Sequence, residues 1–561
     1  MDGSPLSIES AVPDSAGINL FRSDPALAPL ARLYLPADLA EHIVPHLDRL
    51  GELAGGTLDR LAAEADRNPP TLSHRSRRGE DLQAVQKHPV YREMERLAFG
   101  TFGLAALSHR GGVLGWPTPM PPAAKYLLTY LFVQAEFGLM CPVSMTDSLT
   151  RTLRRFGERA LVERYLPALL SQDLDALAQG AMFMTEQGAG SDVGAVAVQA
   201  RPEPDGTWRL FGDKWFCSNP DAALAMVLAR PAGAPGGIER VGLFLLPRQR
   251  PDGTANAYRI IRLKDKLGTR SMASGEVRLE GALAYLIGDD PRSVPGAGFR
   301  QMADMVNNSR LSNGVRAAGL MRRAVTEAFY VARHRRAFGQ ALIDMPLMRR
   351  QLAKMLLPAE QARTMMLQAA DALRRSDAGE PGAYALLRIL TPLLKFRACR
   401  DARRVTGDAM EVRGGCGYIE EWPDPRLLRD AHLGSIWEGT SNVVALDVLR
   451  AARRENALLA LREHLFRLHD EGTRLPEAKA ALDRALALAE RAGSGEPRLA
   501  RQAATALYNV ASAIAMAWEA GRLGLATRHA IAELVLLHRV LPRDPLEAQP
   551  DADDLGLMGI H

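Results

Sequence analysis

Apolar positions in the first 180 residues recur at helical spacing. Between Pro36 and Leu53, the residues Leu39, Ile43, Leu47 and Leu50 fall three or four apart and would line one helix face, and Ala124–Leu139 is apolar enough for a core helix. Breaks at Asn68-Pro69-Pro70, at the basic run Arg75 to Arg78 and at Trp116 to Pro122 separate these elements. From 181 to 296 the texture changes to short β-type runs at Ala195–Ala200, Trp208–Phe211, Ala225–Ala229, Val241–Leu246, Tyr258–Arg262 and Gly275–Leu279. Gly, Pro and Asp turns separate them at hairpin-like intervals. After Gly296-Ala297-Gly298 the helical pattern returns, with Leu311, Val315, Ala318, Val325 and Phe329 outlining the buried face of a first long helix. Further helices are predicted over Pro346–Arg375, Gly382–Asp408 and Asn442–Glu455. A last set runs from Ala457 to about Val540, broken at Gly493 to Gly495 and near Gly524.

The fold class that follows is mainly α with a central β domain. Its expected parts are a helical N-terminal domain (1–180), a β domain (181–296), a helical bundle (297–445) and an extra helical C-terminal domain (446–561). No repeat of fixed period is visible, which argues against a solenoid.

Composition narrows the class. With 561 residues, 47% hydrophobic and 24% charged, the chain is long and apolar enough for several packed units, so disorder and fibrous folds are excluded. The longest uncharged stretch near the C-terminus, Gln502–Trp518, is interrupted by Thr505, Asn509 and Ser512, whereas a membrane span needs about 20 mostly apolar residues. Met1-Asp2-Gly3-Ser4 lacks a signal-peptide start, so a cytoplasmic location is expected. Four cysteines without a CxxC pair imply neither a disulfide framework nor a zinc site, and no metal is expected. The net charge of +5 is weak evidence for a polyanion partner, and 62 of the 70 basic residues are arginine, a bias that reflects genome composition.

Five segments carry candidate chemistry, each with a plain structural alternative. In Thr185-Glu186-Gln187-Gly188-Ala189-Gly190-Ser191-Asp192, glycines expose backbone N–H groups and hydroxyls suit a polar ring or a phosphate. It is otherwise a Gly-rich turn, and its glycine spacing is not that of a Rossmann fingerprint. Gly212 to Asn219 places Trp215 and Phe216 beside Ser218 on a strand, where they suit a flat cofactor but by themselves read as core. Arg333 to Gly339 clusters guanidinium groups that fit a phosphate or simply complement a helix C-terminus. Glu411 to Tyr418 is a glycine turn that admits a ligand or caps a helix. In Ser435 to Asn442, one of Thr440, Ser441 and Asn442 serves as an N-cap, while Glu438 sits on a loop where an apolar site would raise its pKa toward that of a general base.

In this order and at these separations the five segments resemble the acyl-CoA dehydrogenase family over about residues 85 to 450. The resemblance implies a helical domain, a β domain and a helical bundle holding FAD, usually in a tetramer. In that family a base removes the α-proton of an acyl thioester while flavin N5 accepts the β-hydride. Glu438, in Ile436-Trp437-Glu438-Gly439-Thr440, matches that base. Some relatives instead carry the base one residue before an arginine that here is Arg310, on the substrate side; that position is Ser309, which cannot serve. By the same match Met184, Thr185 and Ser191 would contact the flavin, Phe216 would lie against its ring and Ser218 near N5. Arg335, Phe338 and the Gly414-Gly415 loop would reach FAD in a neighbouring subunit, and Trp437, Thr440 and Asn442 would complete the site. Glu411 and Pro346 stand where the family usually has Gln contacts to the adenosine half of FAD.

Those departures, the long N-terminal region and about 115 residues beyond the usual end resemble a narrower branch, the AidB-type alkylation-response flavoproteins. Its signs are Asn68-Pro69-Pro70, His88-Pro89, Cys141-Pro142, Met145-Thr146, Lys264 to Gly268 and Pro346 to Arg349. The leading function is an FAD-dependent acyl-CoA dehydrogenase acting on an acyl-CoA thioester as a homo-oligomer. The alternatives are a flavin-carrying DNA-binding protein with residual dehydrogenase activity and a flavin-binding scaffold without turnover. Residues 445–561 hold 15 Arg plus Lys against 16 Asp plus Glu, which disfavours DNA unless Arg491, Arg498, Arg501, Arg522 and Arg528 gather on one face. Acyl chain length and the electron acceptor are not written in the sequence.

Overall fold

The computed structural model describes residues 12–544, 546–547 and 553–560; of the sequence readings above, Met1 to Ser4 and part of the charge count over 445–561 lie outside the described residues. Helix α1 (Leu27–Tyr34) leads into α2 (Ala37–Gly55), which buries Leu39, Ile43, Leu47 and Leu50 as their spacing predicts. After α3 (Thr57–Arg67) comes an element the helical reading missed, an antiparallel hairpin of β1 (Thr71–Arg75) and β2 (Asp81–Gln86) with Leu72 opposite Val85. Most of its residues are exposed or half-buried, so no apolar alternation marked it. The basic run that reads as a break enters its turn.

Helix α4 (Pro89–Glu95) is followed by α5 (Pro122–Phe132) and α6 (Met140–Phe156), where one helix over Ala124–Leu139 was expected. Residues 123–150 are all buried, so no polar face betrays the interruption. Glu136 makes the break: its carboxylate accepts the Leu139 N–H at 2.9 Å and the Ser271 hydroxyl at 2.7 Å. Gly138 is needed beside it, because a Cβ there would lie 2.6 Å from Ser271 Oγ. Helix α7 (Arg159–Leu169) closes the N-terminal helical region.

The β region comprises β3 (Gly180–Phe183), β4 (Gln199–Pro202), β5 (Trp208–Ser218), β6 (Leu224–Pro231), β7 (Gly242–Pro247), β8 (Tyr258–Leu263) and β9 (Ser274–Leu286). The order β6-β4-β5-β9-β7 returns to β6 through the β6–β7 pairing and closes a barrel, with β3 parallel to β6 and β8 on β9. Trp208, Leu210, Val227, Phe244 and Val277 fill its core. The run Ala195–Ala200 becomes strand only from Gln199, and four-residue β3 is too short to show a period.

The remaining chain is helical. Helix α8 (Ala297–His334) ends at a small hairpin of β10 (Arg336–Ala337) and β11 (Gln340–Ala341). Then follow α9 (Pro346–Asp377), α10 (Ala383–Arg413), α11 (Pro423–Gly434), α12 (Ser441–Arg454), α13 (Ala457–Glu471), α14 (Ala478–Ser494), α15 (Ala500–Leu523), α16 (Ala526–Arg539) and the short α17 (Asp554–Leu557). Beyond the expected breaks there is one at Gly472, where a Cβ would meet Trp518 Cα at 2.6 Å. Among the described residues no helix is long and apolar enough to cross a membrane.

The described residues form two compact units. One takes Leu58–Arg316 and Ile436–Val443; the other takes the residues up to Thr57, Ala317–Ser435 and those from Val444 on. The second unit is pinned by buried ion pairs: Arg528 meets Glu360 (2.8 Å) and Glu519, and Arg363 meets Asp24 and Glu360. Arg528, counted above among arginines that could form a charged face, is therefore interior. Arg491 and Arg498 share Glu496.

Candidate active site

Strand β5 supplies the first part. Its ladder with β9 slips between Lys214 and Cys217, where three steps on β5 oppose two on β9. Such a bulge re-aims the residues inside it. Lys214 and Cys217 are buried, whereas Phe216 is 57% exposed, so the core reading of that ring is corrected: it is an open aromatic face. Lys264 Nζ lies 3.5 Å from the centroid of the half-buried Trp215.

The Thr185–Asp192 turn is strapped to this strand. Lys214 Nζ donates to Met184 O at 3.3 Å, and the Trp215 N–H donates to Thr185 O at 2.9 Å. Between these, buried Glu186 accepts from Lys214 Nζ (2.7 Å) and from the Ala197 N–H (2.7 Å). Burial pulls the Lys214 amine below its usual range, against the attraction of Glu186. A Cβ at Gly188 or Gly190 would meet nothing within 4 Å, so the turn borders open space beside the exposed Ser191. The anchoring roles of Glu186 and Lys214 were missed in sequence, although Lys214 is one of only eight lysines in the chain.

The loop before α12 supplies the second part. Glu438 has φ +55° and Gly439 φ +101°, two successive left-handed residues. That conformation is unfavourable for glutamate and persists where surroundings enforce it. Arg310 Nε donates to Glu438 O at 2.9 Å. The Trp437 ring stacks on Phe137 (5.9 Å between centroids, 19° between planes), and its Nε1 is buried with no hydrogen-bond partner among the described residues. Thr440 occupies the position preceding α12, the N-cap place, with exposed Asn442 in the first turn. Ser309, one residue before Arg310, is fully buried with an unpartnered hydroxyl.

Cys141, at the start of α6, ties the two parts together. Burial pushes its thiol up, Arg316 pulls it down, Glu438 pushes it up, Ser218 hydrogen-bonds it and Lys266 pulls it down. Ser218 at the end of β5 and Glu438 on the α12 loop therefore both act on the same buried thiol. Cys141, Met145 and Met272 form an apolar cluster against which Met182 and Trp437 pack. The unit 58–316 with 436–443 contains Met184, Thr185, Ser191, Phe216, Ser218, Arg310, Trp437, Glu438, Thr440 and Asn442.

Four further candidates lie in the other unit. Arg335 Nη1 donates to Arg413 O at 2.9 Å. Next to it Gly414, at φ +73°, caps α10 by donating its N–H to Glu411 O, so the C-cap reading holds for its backbone. Gly415 faces open space, and Phe338, at the tip of the β10–β11 hairpin, is 96% exposed. Within the unit 58–316 with 436–443, the exposed Phe216 ring, the open turn at Gly188 and Gly190 and the orphaned Trp437 N–H each suit a flat, hydrogen-bonding ligand. Among the described residues no group of His, Cys, Asp or Glu side chains is arranged to hold a metal ion.

Comparison with known proteins gives a consistent result along the chain. The adaptive response protein AidB N-terminal domain matches residues 10–176, the acyl-CoA dehydrogenase middle domain residues 181–282, and the acyl-CoA dehydrogenase C-terminal domain residues 296–453. The putative acyl-CoA dehydrogenase AidB of Escherichia coli is 34% identical over 80% of this chain and 80% of its own length. Acyl-CoA dehydrogenase family member 11 of Caenorhabditis elegans is 32% identical over 83% of this chain and 77% of its own. The crystal structure of C. elegans ACDH-11 in complex with C11-CoA superposes with a TM-score of 0.86 at 28% identity, covering 94% of this chain and 92% of that one.

Proposed function

The chain belongs to the acyl-CoA dehydrogenase family, on its AidB-type branch, and from that premise we propose that it is an FAD-dependent dehydrogenase of acyl-CoA thioesters with Glu438 as the base. One observation carries this reading: Glu438 sits on a turn held by Arg310 and by Trp437, whose ring packs on the cluster of Cys141, Met145 and Met272, and Ser218 at the end of β5 acts on that same Cys141 thiol. FAD, when bound, supplies the acceptor for the hydride that leaves the substrate β-carbon. Phe216 offers its exposed face to the flavin ring, Ser218 its hydroxyl, and Met184, Thr185 and Ser191 the turn that borders it. Glu438 takes the α-proton onto a carboxylate oxygen, while Arg310 holds the peptide carbonyl of that residue. The cluster of Cys141, Met145, Met272 and Trp437 keeps water from the side of the base. An acyl-CoA substrate is supported by the C11-CoA bound to the C. elegans neighbour. Ser309 offers only a hydroxyl and is no competitor for the base.

The test is Glu438→Gln. The variant should keep its flavin, because the flavin-facing residues are untouched, and lose substrate-driven flavin reduction by about 10² to 10⁴-fold, the worth of general-base catalysis. Ser309→Ala should stay near the wild-type rate. Equal rates in Glu438→Gln and wild type would move the base elsewhere.

For DNA, we propose weak or no duplex binding at physiological salt. Of the five arginines weighed for a charged face, Arg528 is interior and Arg491 and Arg498 are paired with Glu496, which leaves Arg501 and Arg522 against the 6 to 10 or so phosphate contacts of a strongly salt-dependent binder. A duplex titration at two salt concentrations checks this: tight binding that falls steeply with salt would contradict it.

A further inference from the structure

Helix α8 carries Ser309, Asn313 and Arg316 at i, i+4 and i+7, which places them on one face. Arg316 is 1% exposed. Its Nη2 donates to Asn313 Oδ1 at 2.8 Å and its Nε to Ser312 O at 3.4 Å, so the guanidinium is held from its own helix. Its guanidinium carbon lies 4.6 Å from the Trp437 ring centroid and 5.3 Å from that of Phe137. Taking a cation out of water is costly and calls for a compensating role. Here the nearer of the two rings that the cation meets belongs to the residue preceding Glu438.

We propose that Arg316 is a positioning residue for Glu438, acting through Trp437 to hold the left-handed turn that carries the base and setting a buried cation near its carboxylate. The inference rests on the reading of Glu438 as base. Two arginines of α8 then grip the turn at different points: Arg310 takes the Glu438 carbonyl, and Arg316 takes the Trp437 ring. With φ +55° at Glu438, a turn released from either grip relaxes toward ordinary backbone and carries the carboxylate away. The charged and titratable groups gathered at this point are Arg310 and Arg316 from α8, Cys141 from α6, Lys266 from the segment after β8 and Glu438 itself. A cation here favours the ionised base and so keeps it able to accept a proton. Lysine retains the charge but lacks the planar, forked guanidinium that meets the rings and Asn313 together.

The experiment uses the full-length, FAD-loaded protein with C11-CoA and butyryl-CoA as probes, and compares wild type, Arg316→Met and Arg316→Lys. For Arg316→Met we expect kcat for flavin reduction to fall about 10²-fold while KM stays within about threefold, the pattern of a misplaced catalytic group. Its pH–rate profile should shift to higher pH, whereas Arg316→Lys should restore the profile but only part of the rate. Intrinsic tryptophan emission should change in Arg316→Met, and that change should vanish in a Trp437→Phe background. If Arg316→Met does not fold, Phe137→Leu, which removes one of the two stacked rings, should lower kcat several-fold without moving the pH profile. Wild-type kcat and pH profile in Arg316→Met, a loss confined to KM, an emission change independent of Trp437, or wild-type kcat in Phe137→Leu would each overturn the proposal. A wild-type protein that reduces no acyl-CoA would overturn the functional reading together with it; an active wild type matched by Arg316→Met overturns this inference alone.

Discussion

Asp147 shows what a single buried carboxylate does beside the site. It accepts from His109 Nε2 and Lys125 Nζ, each at 2.9 Å, and from Asn308 Nδ2 at 3.0 Å, which fixes α6 against α8 next to Ser309 and Arg310. Burial alone would push its carboxyl up, but Lys125 and His109 outweigh that and hold it well below the usual carboxylate range. A depressed folded pKa contributes stability that is present above the unfolded value of about 3.9 and lost as pH falls through the folded one. Asp147→Asn should therefore cost about 3 kcal/mol at neutral pH, because Lys125 is left buried without its partner. In urea unfolding the gap between wild type and variant should narrow below about pH 4. Equal midpoints at neutral pH would show that the pair contributes nothing net.

At the scale of elements, the C-terminal helices are joined to the bundle by a polar relay. His464 on α13 meets Gln368 Oε1 on α9 at 2.8 Å; Gln368 Nε2 donates to Tyr34 OH (2.7 Å), and Tyr34 OH donates to Glu519 on α15 (2.7 Å). Burial first, then the Arg467 and Arg375 guanidinium groups, push the His464 ring down to about 3, so it is neutral in the folded protein. For a histidine lowered in this way the stabilising contribution is present above about pH 6.5 and is lost as pH falls, since the unfolded chain takes up the proton first. Stability should drop by about 1 kcal/mol per pH unit between about pH 6 and pH 4 from this group. His464→Gln should flatten that slope in thermal melts while lowering stability at neutral pH. An unchanged slope would place the acid-labile group elsewhere.

Across the whole molecule, the four candidates in the second unit predict assembly. Phe338, Leu347 and Tyr418 are each more than four-fifths exposed, and large exposed apolar side chains mark surfaces for a partner. We propose that a second copy covers them and that Arg335 and the Gly414-Gly415 loop reach FAD held by that copy, within a tetramer of two dimers. Arg335→Ala should lower the flavin-to-protein absorbance ratio and loosen the dimer in light scattering. A monomer with full FAD would contradict this.

Much of this was legible in the residues. The period of Leu39, Ile43, Leu47 and Leu50 specified α2, and most of the central β runs became barrel strands. The Ile436–Thr440 motif and Arg310 also stood out, because helical period, strand alternation and short motifs are local properties that neighbouring residues write directly. Other features were not local. The break between α5 and α6 needed Ser271 to meet Glu136, and the outward turn of Phe216 needed a bulge against β9. Cys141, Ser218, Arg316 and Glu438 lie far apart in the chain, yet the fold brings their interactions to one thiol. Arginine, lysine and aspartate look alike in sequence whether solvated or interior. Only packing decided that Arg316, Arg528, Lys214 and Asp147 lie inside, since a buried charge is set by partners that a local pattern does not contain.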